Sequence, residues 1–377
     1  MDFLYYLLSF FIVINLIVVS HELGHYWAAR KVGVKITRFS VGIGPEIFGF
    51  DDKNGTRWCF SAFPVGGYVM MLGDADISSS TESEESIKDL NEDEKKASIV
   101  CRNNWEKMWI AFAGPLSNYV YSFVVLLVMG MFYGVPKHLP VVGHVLENSP
   151  AAAAGFLAGD RILSLDGEKV NKFRDVLVLI SNSDNEKFRF EIDRAGERLS
   201  IDVKPRIVEK DRPLGGKKKT MLLGLQSGDP GFERLSLLGA VANAFQECVS
   251  TTLEMVRMLS RLFSGKKSLD DFGGVVHMAS VAGGMCANGN FAMLIIFTTM
   301  LSLNLGFINL FPLPVLDGGR ILFYFFEEIT GRKLNEKVME YIVTACALLL
   351  IVLMLATTVN DVLKIEFVSK FISGIIG

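Results

Sequence analysis

The stretch from Phe3 to His25 reads FLYYLLSFFIVINLIVVSHELGH. Phe3 to Ser20 carries no charge and approaches the roughly 20 apolar residues a helix needs to cross a bilayer. Only Asp2 stands where a signal peptide has its basic start, and HELGH stands where it has small cleavage-site residues. The run therefore reads as a membrane helix. It ends directly in His21-Glu22-Leu23-Gly24-His25. On a helix, positions i and i+4 share a face. Both imidazoles can then reach one Zn2+ ion, while Glu22 sits one step round and meets the attacking water. The bland alternative is two histidines packed at a membrane interface. It is the weaker reading, because ionisable groups against a membrane span are costly and usually functional.

The rest of the chain fits a membrane setting. Half of the 377 residues are hydrophobic and 21% are charged, too apolar for an ordinary soluble enzyme and too charged for a bare helix bundle. The net charge of −3 gives no reason to expect a nucleic-acid partner. The five cysteines lack paired spacing and read as packing residues. Three further apolar runs, Met108–Gly134, Phe291–Phe311 and Tyr341–Val359, bring the expected spans to four. Arg30, Lys31, Lys35, Arg38, Arg102, Lys107, Arg320, Arg332, Lys333 and Lys337 all fall in loops on one side, which the positive-inside rule assigns to the cytoplasm. Ile36 to Leu72, on that side, reads as short strands. Asp74 to Lys96 is acidic and serine-rich and reads as a flexible, solvated excursion. The outward segment 137–206 reads as an α+β domain with strands VVGHVL, RILSLDG, KFRFEID and RLSIDVK. An amphipathic stretch from Gly231 to Phe263 follows, suited to lying on the membrane or bracing the domain.

A catalytic zinc needs a third protein ligand and an open position. His138 and His144 lie in the outward segment, and His277 reads as structural. Asp317 is the candidate. It closes NLFPLPVLDGG, Asn309 to Gly319, at the cytoplasmic end of the third span. Pro312 and Pro314 forbid a regular helix there, and irregular backbone at membrane depth must be buried in protein or line a polar cavity. A simple Asp-Gly turn is the competing reading. With HELGH on the same face of the membrane, the ligand reading is the better one.

Taken together these residues resemble the site-2 protease family of intramembrane zinc metalloproteases, in particular the bacterial branch that releases envelope-stress sigma factors by cutting an anti-sigma factor. HELGH is similar to the family's zinc helix and NLFPLPVLDGG to its second signature. Gly114-Pro-Leu-Ser-Asn118 is similar to its G-x-x-x-N motif, and Ser149 to Val170 resembles the core of one PDZ domain, where many relatives carry two. The resemblance implies zinc ligands at His21, His25 and Asp317, Glu22 as general base and Asn309 as a substrate-gripping residue. It also implies a bacterial inner-membrane location, single-span membrane proteins as substrates and a role in regulated intramembrane proteolysis or removal of signal-peptide remnants. The PDZ-like domain would bind a substrate end or exclude bulky substrates.

The expected fold is thus a multi-pass α-helical membrane protein with about four transmembrane helices, an inserted α+β PDZ-like domain and a membrane-associated β-rich loop. Its expected parts are 1–136 with the zinc helix and loop, 137–206 as the PDZ-like domain, 207–290 as an amphipathic connection and 291–377 with the third ligand. An unwound substrate has unpaired amides, and a strand edge of the enzyme can pair with them. The strand-like segment Phe60 to Tyr68 can offer that edge, with Phe60, Ser61, Ala62 and Phe63 as the expected substrate-binding residues. Two other classes compete. A catalytically silent PDZ-bearing scaffold would lack Glu22 or Asp317, and both are present. A zinc transporter would show repeated halves, and none is visible.

Overall fold

Unbroken apolar runs become helices because a helix pairs its backbone groups within the segment, without water. The computed structural model describes residues 2–74, 90–137, 140–170, 173–181, 185, 187–211, 217–228, 231–263, 275–332 and 336–363. Residues 75–89, the greater part of the acidic excursion, lie outside them, as does His138. In chain order, helix α1 (Asp2–Lys31) leads into strands β1 (Ile36–Asp51) and β2 (Arg57–Met71). The short α2 (Glu92–Lys96) is capped by Asn91, whose side chain accepts from the Glu94 amide at 2.8 Å. Helix α3 (Asn104–Val128) runs on as a π turn over Met129–Tyr133. Next come β3 (Val135–Lys137), β4 (Val142–Val145), α4 (Pro150–Ala153), β5 (Arg161–Leu165), β6 (Glu168–Lys169) and α5 (Phe173–Ser181). They are followed by β7 (Phe188–Arg194), β8 (Glu197–Val203), β9 (Arg206–Asp211), β10 (Lys217–Leu222), β11 (Leu225–Ser227) and β12 (Gly231–Glu233). Five helices end the described chain: α6 (Leu237–Phe263), α7 (Val275–Ala287), α8 (Phe291–Asn309), α9 (Asp317–Thr330) and α10 (Glu336–Leu363).

These elements form two compact units, one of Met1–Val128 with Leu238–Gly377 and one of Met129–Leu237. The second is wider than the segment 137–206, because β12 pairs with β3 and β11 with β4.

Among the described residues, three helices are long and apolar enough to cross a membrane: Leu8–Lys31, Asn104–Tyr133 and Phe291–Asn309. The fourth expected span falls in α10, but its described apolar run, Tyr341–Ala356, is shorter than the roughly 20 residues of a full crossing. Helix α1 packs on α3 and α7, and α3 on α8 and α9. Large side chains such as Leu8, Ile12 and Leu16 on α1, or Val120, Val124 and Val128 on α3, remain exposed, as lipid-facing residues are. Helix α6 is amphipathic as expected: Leu238, Val241, Phe245, Val249, Leu253 and Val256 form an exposed stripe at helical spacing, beside buried Ala240, Ala244 and Cys248.

Strands β1 and β2 each bend back, so that the hairpin is a meander of four segments. Cys59 pairs with both Ser40 and Gly49, and Phe60 with both Val41 and Phe48. Residues 57–60 are therefore interior, while 67–71 pair on one side only, with 36–41. The sheet exposes Ile43, Ile47, Phe48, Phe50, Phe60 and Phe63, an apolar surface far larger than a soluble loop carries. Asn15, halfway along the first span, donates from Nδ2 to the carbonyl of Pro64. The β-rich loop thus reaches the depth of the span.

The second unit has its own core, centred on Val142, Ile162, Val176, Phe188, Phe190 and Ile192. Its antiparallel sheet runs in the order β6-β5-β7-β8. Asp160 is 1% exposed and accepts from Arg194 Nε at 2.7 Å, Arg194 Nη2 at 2.8 Å and the Leu157 amide at 2.8 Å. Burial works to raise this carboxyl's pKa, but Arg194 and Leu157 outweigh it and hold the group below its ordinary value. A depressed folded-state pKa gives stability that is complete above the unfolded value of about 3.9 and is lost as pH falls through the folded value. Arg194→Ala, which leaves the buried carboxylate only the Leu157 amide, is expected to cost about 2 kcal/mol. Hydrogen exchange on the full chain should show faster amide exchange in β5, β7 and β8 in this variant at neutral pH. In wild type the same strands should keep their protection down to about pH 4 and lose it below.

Candidate metal centre

The α-helical register of α1 carries straight through the apolar run, which sets His21 and His25 one turn apart on the same face. Their rings lie edge to face with centroids 4.8 Å apart, and the two Nε2 atoms are separated by 3.1 Å. Asp317 comes from the far end of the chain. Pro312 and Pro314 end α8 and leave Leu310–Leu316 irregular, after which Asp317 opens α9. A carboxylate in a first turn is favoured by the helix dipole. Asp317 Oδ2 lies 3.1 Å from His21 Nε2, and Oδ1 3.5 Å from His25 Nε2.

The donor set fits zinc. Zinc–nitrogen and zinc–oxygen bonds of about 2.0 to 2.1 Å at a tetrahedral centre put ligand atoms about 3.3 to 3.4 Å apart. The three separations here, 3.1, 3.1 and 3.5 Å, bracket that value. All three side chains are nearly buried, at 9%, 10% and 12% exposure. Among the described residues this is the group of His, Cys, Asp and Glu whose ligand atoms converge in this way.

Helix α3 supports the rings from behind. His25 Nδ1 is 2.8 Å from the carbonyl of Ile110, a contact that puts the hydrogen on Nδ1 and turns Nε2 toward Asp317. His21 Nδ1 lies 3.3 Å from Asn118 Nδ2. Ser117 Oγ donates to the Ser20 carbonyl at 2.7 Å and so ties α3 to α1 just before the histidines. The helices cross on glycines. A Cβ at Gly24 would strike the Ala113 carbonyl, and one at Gly114 would strike both histidine rings.

His21, His25 and Asp317 line a cavity of about 310 Å³ together with Glu22, Tyr68, Asn309 and Arg320. Glu22 and Asn309 are thus brought to the cluster, and Asn309 Nδ2 lies 3.5 Å from His21 Nε2. Phe60, Ser61, Ala62 and Phe63 are not among the residues lining it. Phe60 is paired on both sides, Ser61 is buried with its Oγ 2.8 Å from Ser40 Oγ, and Phe60 and Phe63 project outward. Ser61 and Phe63 pair on one side, with Glu46 and Ile43, and residues Tyr68 to Met71, also paired on one side only, border the cavity. No pattern in the sequence separates interior from edge segments of this meander. Arg320, expected only as a basic loop residue, stands three residues after Asp317 on the same face of α9, a relation that helical spacing could have revealed.

Comparison with known proteins bears on the family. The family model described as Peptidase family M50 matches residues 9–353. A Mesorhizobium japonicum protein carrying the provisional name of zinc metalloprotease is 36% identical over 363 residues, covering 95% of this chain and 99% of that one. The metalloprotease MmpA of Caulobacter vibrioides is 34% identical, covering 99% of both. A solved PDZ domain of an SdrC-like protein from Listeria monocytogenes covers 25% of this chain and 90% of its own, at 19% identity and a TM-score of 0.19.

The crossing geometry makes a prediction. Gly114→Ala should lower zinc affinity about 10- to 100-fold, as displaced ligand rings do. Gly284→Ala on α7, where a Cβ meets nothing within 4 Å, should leave it unchanged. Metal analysis of the purified variants after dialysis against a chelator measures both.

Proposed function

The chain belongs to peptidase family M50, and we propose that it is a zinc-dependent endopeptidase that cuts membrane proteins within or beside their transmembrane segments. The observation that carries this reading is the convergence of His21, His25 and Asp317, from opposite ends of the chain, at the spacing of a tetrahedral site that opens on a cavity holding Glu22. His21, His25 and Asp317 hold the zinc. When bound, zinc supplies a Lewis acid that polarises the scissile carbonyl and makes water more acidic. Glu22 takes the proton from the attacking water and delivers it to the leaving amine.

The substrate arrives as a helix whose amides are paired internally, and it must unwind to be cut. Each amide then left unmatched in an apolar site costs several kcal/mol. The edge at Tyr68 to Met70, next to Met71 whose backbone groups Asp74 already holds, pairs with the unwound segment by strand addition. Asn309, with a donor and an acceptor on one side chain, holds a backbone group of the substrate next to the reacting bond. Substrates with Gly or Pro in their span unwind most cheaply and are cut best. The chain acts in the bacterial inner membrane with its zinc site toward the cytoplasm, since the basic loops collect on that side. The second unit faces outward as a PDZ-like domain, where it limits access by substrates with bulky outer regions. These features suit regulated intramembrane proteolysis, including release of an anti-sigma factor's regulatory part, and clearance of signal-peptide remnants.

Two experiments test the reading. The chain is co-expressed with a tagged single-span protein whose outer domain has been trimmed. Glu22→Gln is expected to keep zinc and cut at least about 100-fold more slowly, whereas Asp317→Ala loses both metal and cleavage. A Glu22→Gln protein that loses zinc as His21→Ala does would move Glu22 into the ligand set. For the strand edge, a cysteine is placed at Tyr68 or at Phe60 in the Glu22→Gln background. Tyr68→Cys should form a disulfide with a single cysteine in the substrate span and Phe60→Cys should not. The opposite result would return the edge to Phe60.

A further inference from the structure

We propose that Asn118 is a positioning residue for His21: its side-chain oxygen accepts the hydrogen on His21 Nδ1 and so aims Nε2 at the metal. The inference rests on the reading of His21, His25 and Asp317 as zinc ligands. It begins from an orphaned atom. Asn118 is 0% exposed, in the middle of α3, and its Oδ1 is buried with no hydrogen-bond partner. Its Nδ2 lies 3.3 Å from His21 Nδ1. For Nε2 of His21 to give its lone pair to a metal, the ring hydrogen must sit on Nδ1. An amide N–H facing that hydrogen sets donor against donor and leaves the oxygen unmatched. A half-turn of the amide exchanges its oxygen and nitrogen in nearly the same volume. Oδ1 then faces the Nδ1 hydrogen, and both faults are removed by one rotation.

The surroundings of Asn118 suit a support. Its backbone carbonyl accepts from Ser122 Oγ at 2.8 Å and from Ser302 Oγ of α8 at 3.2 Å, and Ser122 Oγ also reaches the Thr299 carbonyl at 3.2 Å. The residue is thereby fastened between two helices. It stands four positions after Gly114, on the same face of α3. Gly114 leaves room for the two rings, and Asn118, one turn on, holds one of them. The G-x-x-x-N spacing gains a physical meaning: the clearance and the latch for a histidine of the neighbouring helix. The carbonyl of Ile110 does for His25 what Asn118 does for His21.

The test is zinc retention by the purified full chain in detergent against a competing chelator, with folding followed by circular dichroism and thermal unfolding. Asn118→Leu, similar in volume and unable to accept, should weaken zinc binding about 10- to 100-fold with the helices intact. Asn118→Asp, which accepts and cannot donate, should stay within about threefold of wild type, because a carboxylate serves as well behind a metal-bound histidine. Proton–nitrogen spectra of histidine-labelled, zinc-loaded protein, with only five histidines to assign, should show the His21 Nδ1 hydrogen moved downfield in Asn118→Asp. Asn118→Asp decides the question if Asn118→Leu does not fold. A folded Asn118→Asp that loses zinc would mean that the amide donates to His21, and would overturn the proposal. So would a folded Asn118→Leu that binds zinc as wild type does, or an unmoved His21 hydrogen in Asn118→Asp. A wild type that holds no more zinc than His21→Ala would instead sink the zinc reading on which this one rests.

Discussion

Two histidines of α1 and a carboxylate from the far end of the chain meet inside an apolar helical bundle, and the helices and loops around them accommodate that meeting. Charged and hydrogen-bonding groups are expensive at such depth unless each finds a partner. His25 has Ile110, Asp317 has both histidines, and His21 has Asn118 within reach. Helices α1 and α3 approach closely enough to provide these partners because Gly24 and Gly114 stand at the crossing. The same closeness leaves the opposite side of the cluster open to the cavity, where Glu22, Asn309 and the β2 edge are. Support on one face and access on the other is the division that a catalytic metal site requires.

The meander of β1 and β2 answers a second constraint. A sheet within reach of lipid has edges, and open edges are not tolerated in hydrocarbon. By bending back on themselves the two strands pair residues 57–60 on both sides. Two outer segments remain paired on one side only, 46–51 and 67–71, and Tyr68 to Met71 of the second border the polar cavity. The exposed faces carry Ile47, Phe48, Phe60 and Phe63, which suits contact with acyl chains. One piece of structure thus has an apolar outer surface and, beside the metal cluster, a strand paired on one side only.

Much of this arrangement is legible in the amino-acid sequence. The zinc helix, the irregular turn that carries Asp317 and the four expected strands of the inserted domain are local patterns, governed by helical period, by proline and by strand alternation. The fourth span is less plainly written: hydropathy marks Tyr341–Val359, and the described apolar part of α10 stops short of a crossing. Which segment borders the cavity is hidden for a physical reason. Phe60 to Phe63 and Tyr68 to Met71 are both apolar, strand-forming segments, and only long-range pairing determines which of them is enclosed.

The sequence by itself determined which residues had metal chemistry to offer. Helical spacing sets His21 beside His25 whatever surrounds them, and two prolines force the backbone before Asp317 out of helix. Tertiary structure alone decided how these residues are supported and approached. Asn118 is 97 positions from His21, and no periodicity links them; they meet because α1 and α3 cross on glycines. The edge residues Tyr68 to Met71 border the site because a bent hairpin folds back over α1. Short-range patterns are written in φ, ψ and side-chain period. The partners of a buried polar group are chosen by packing across the whole unit, and packing is where such groups must be satisfied.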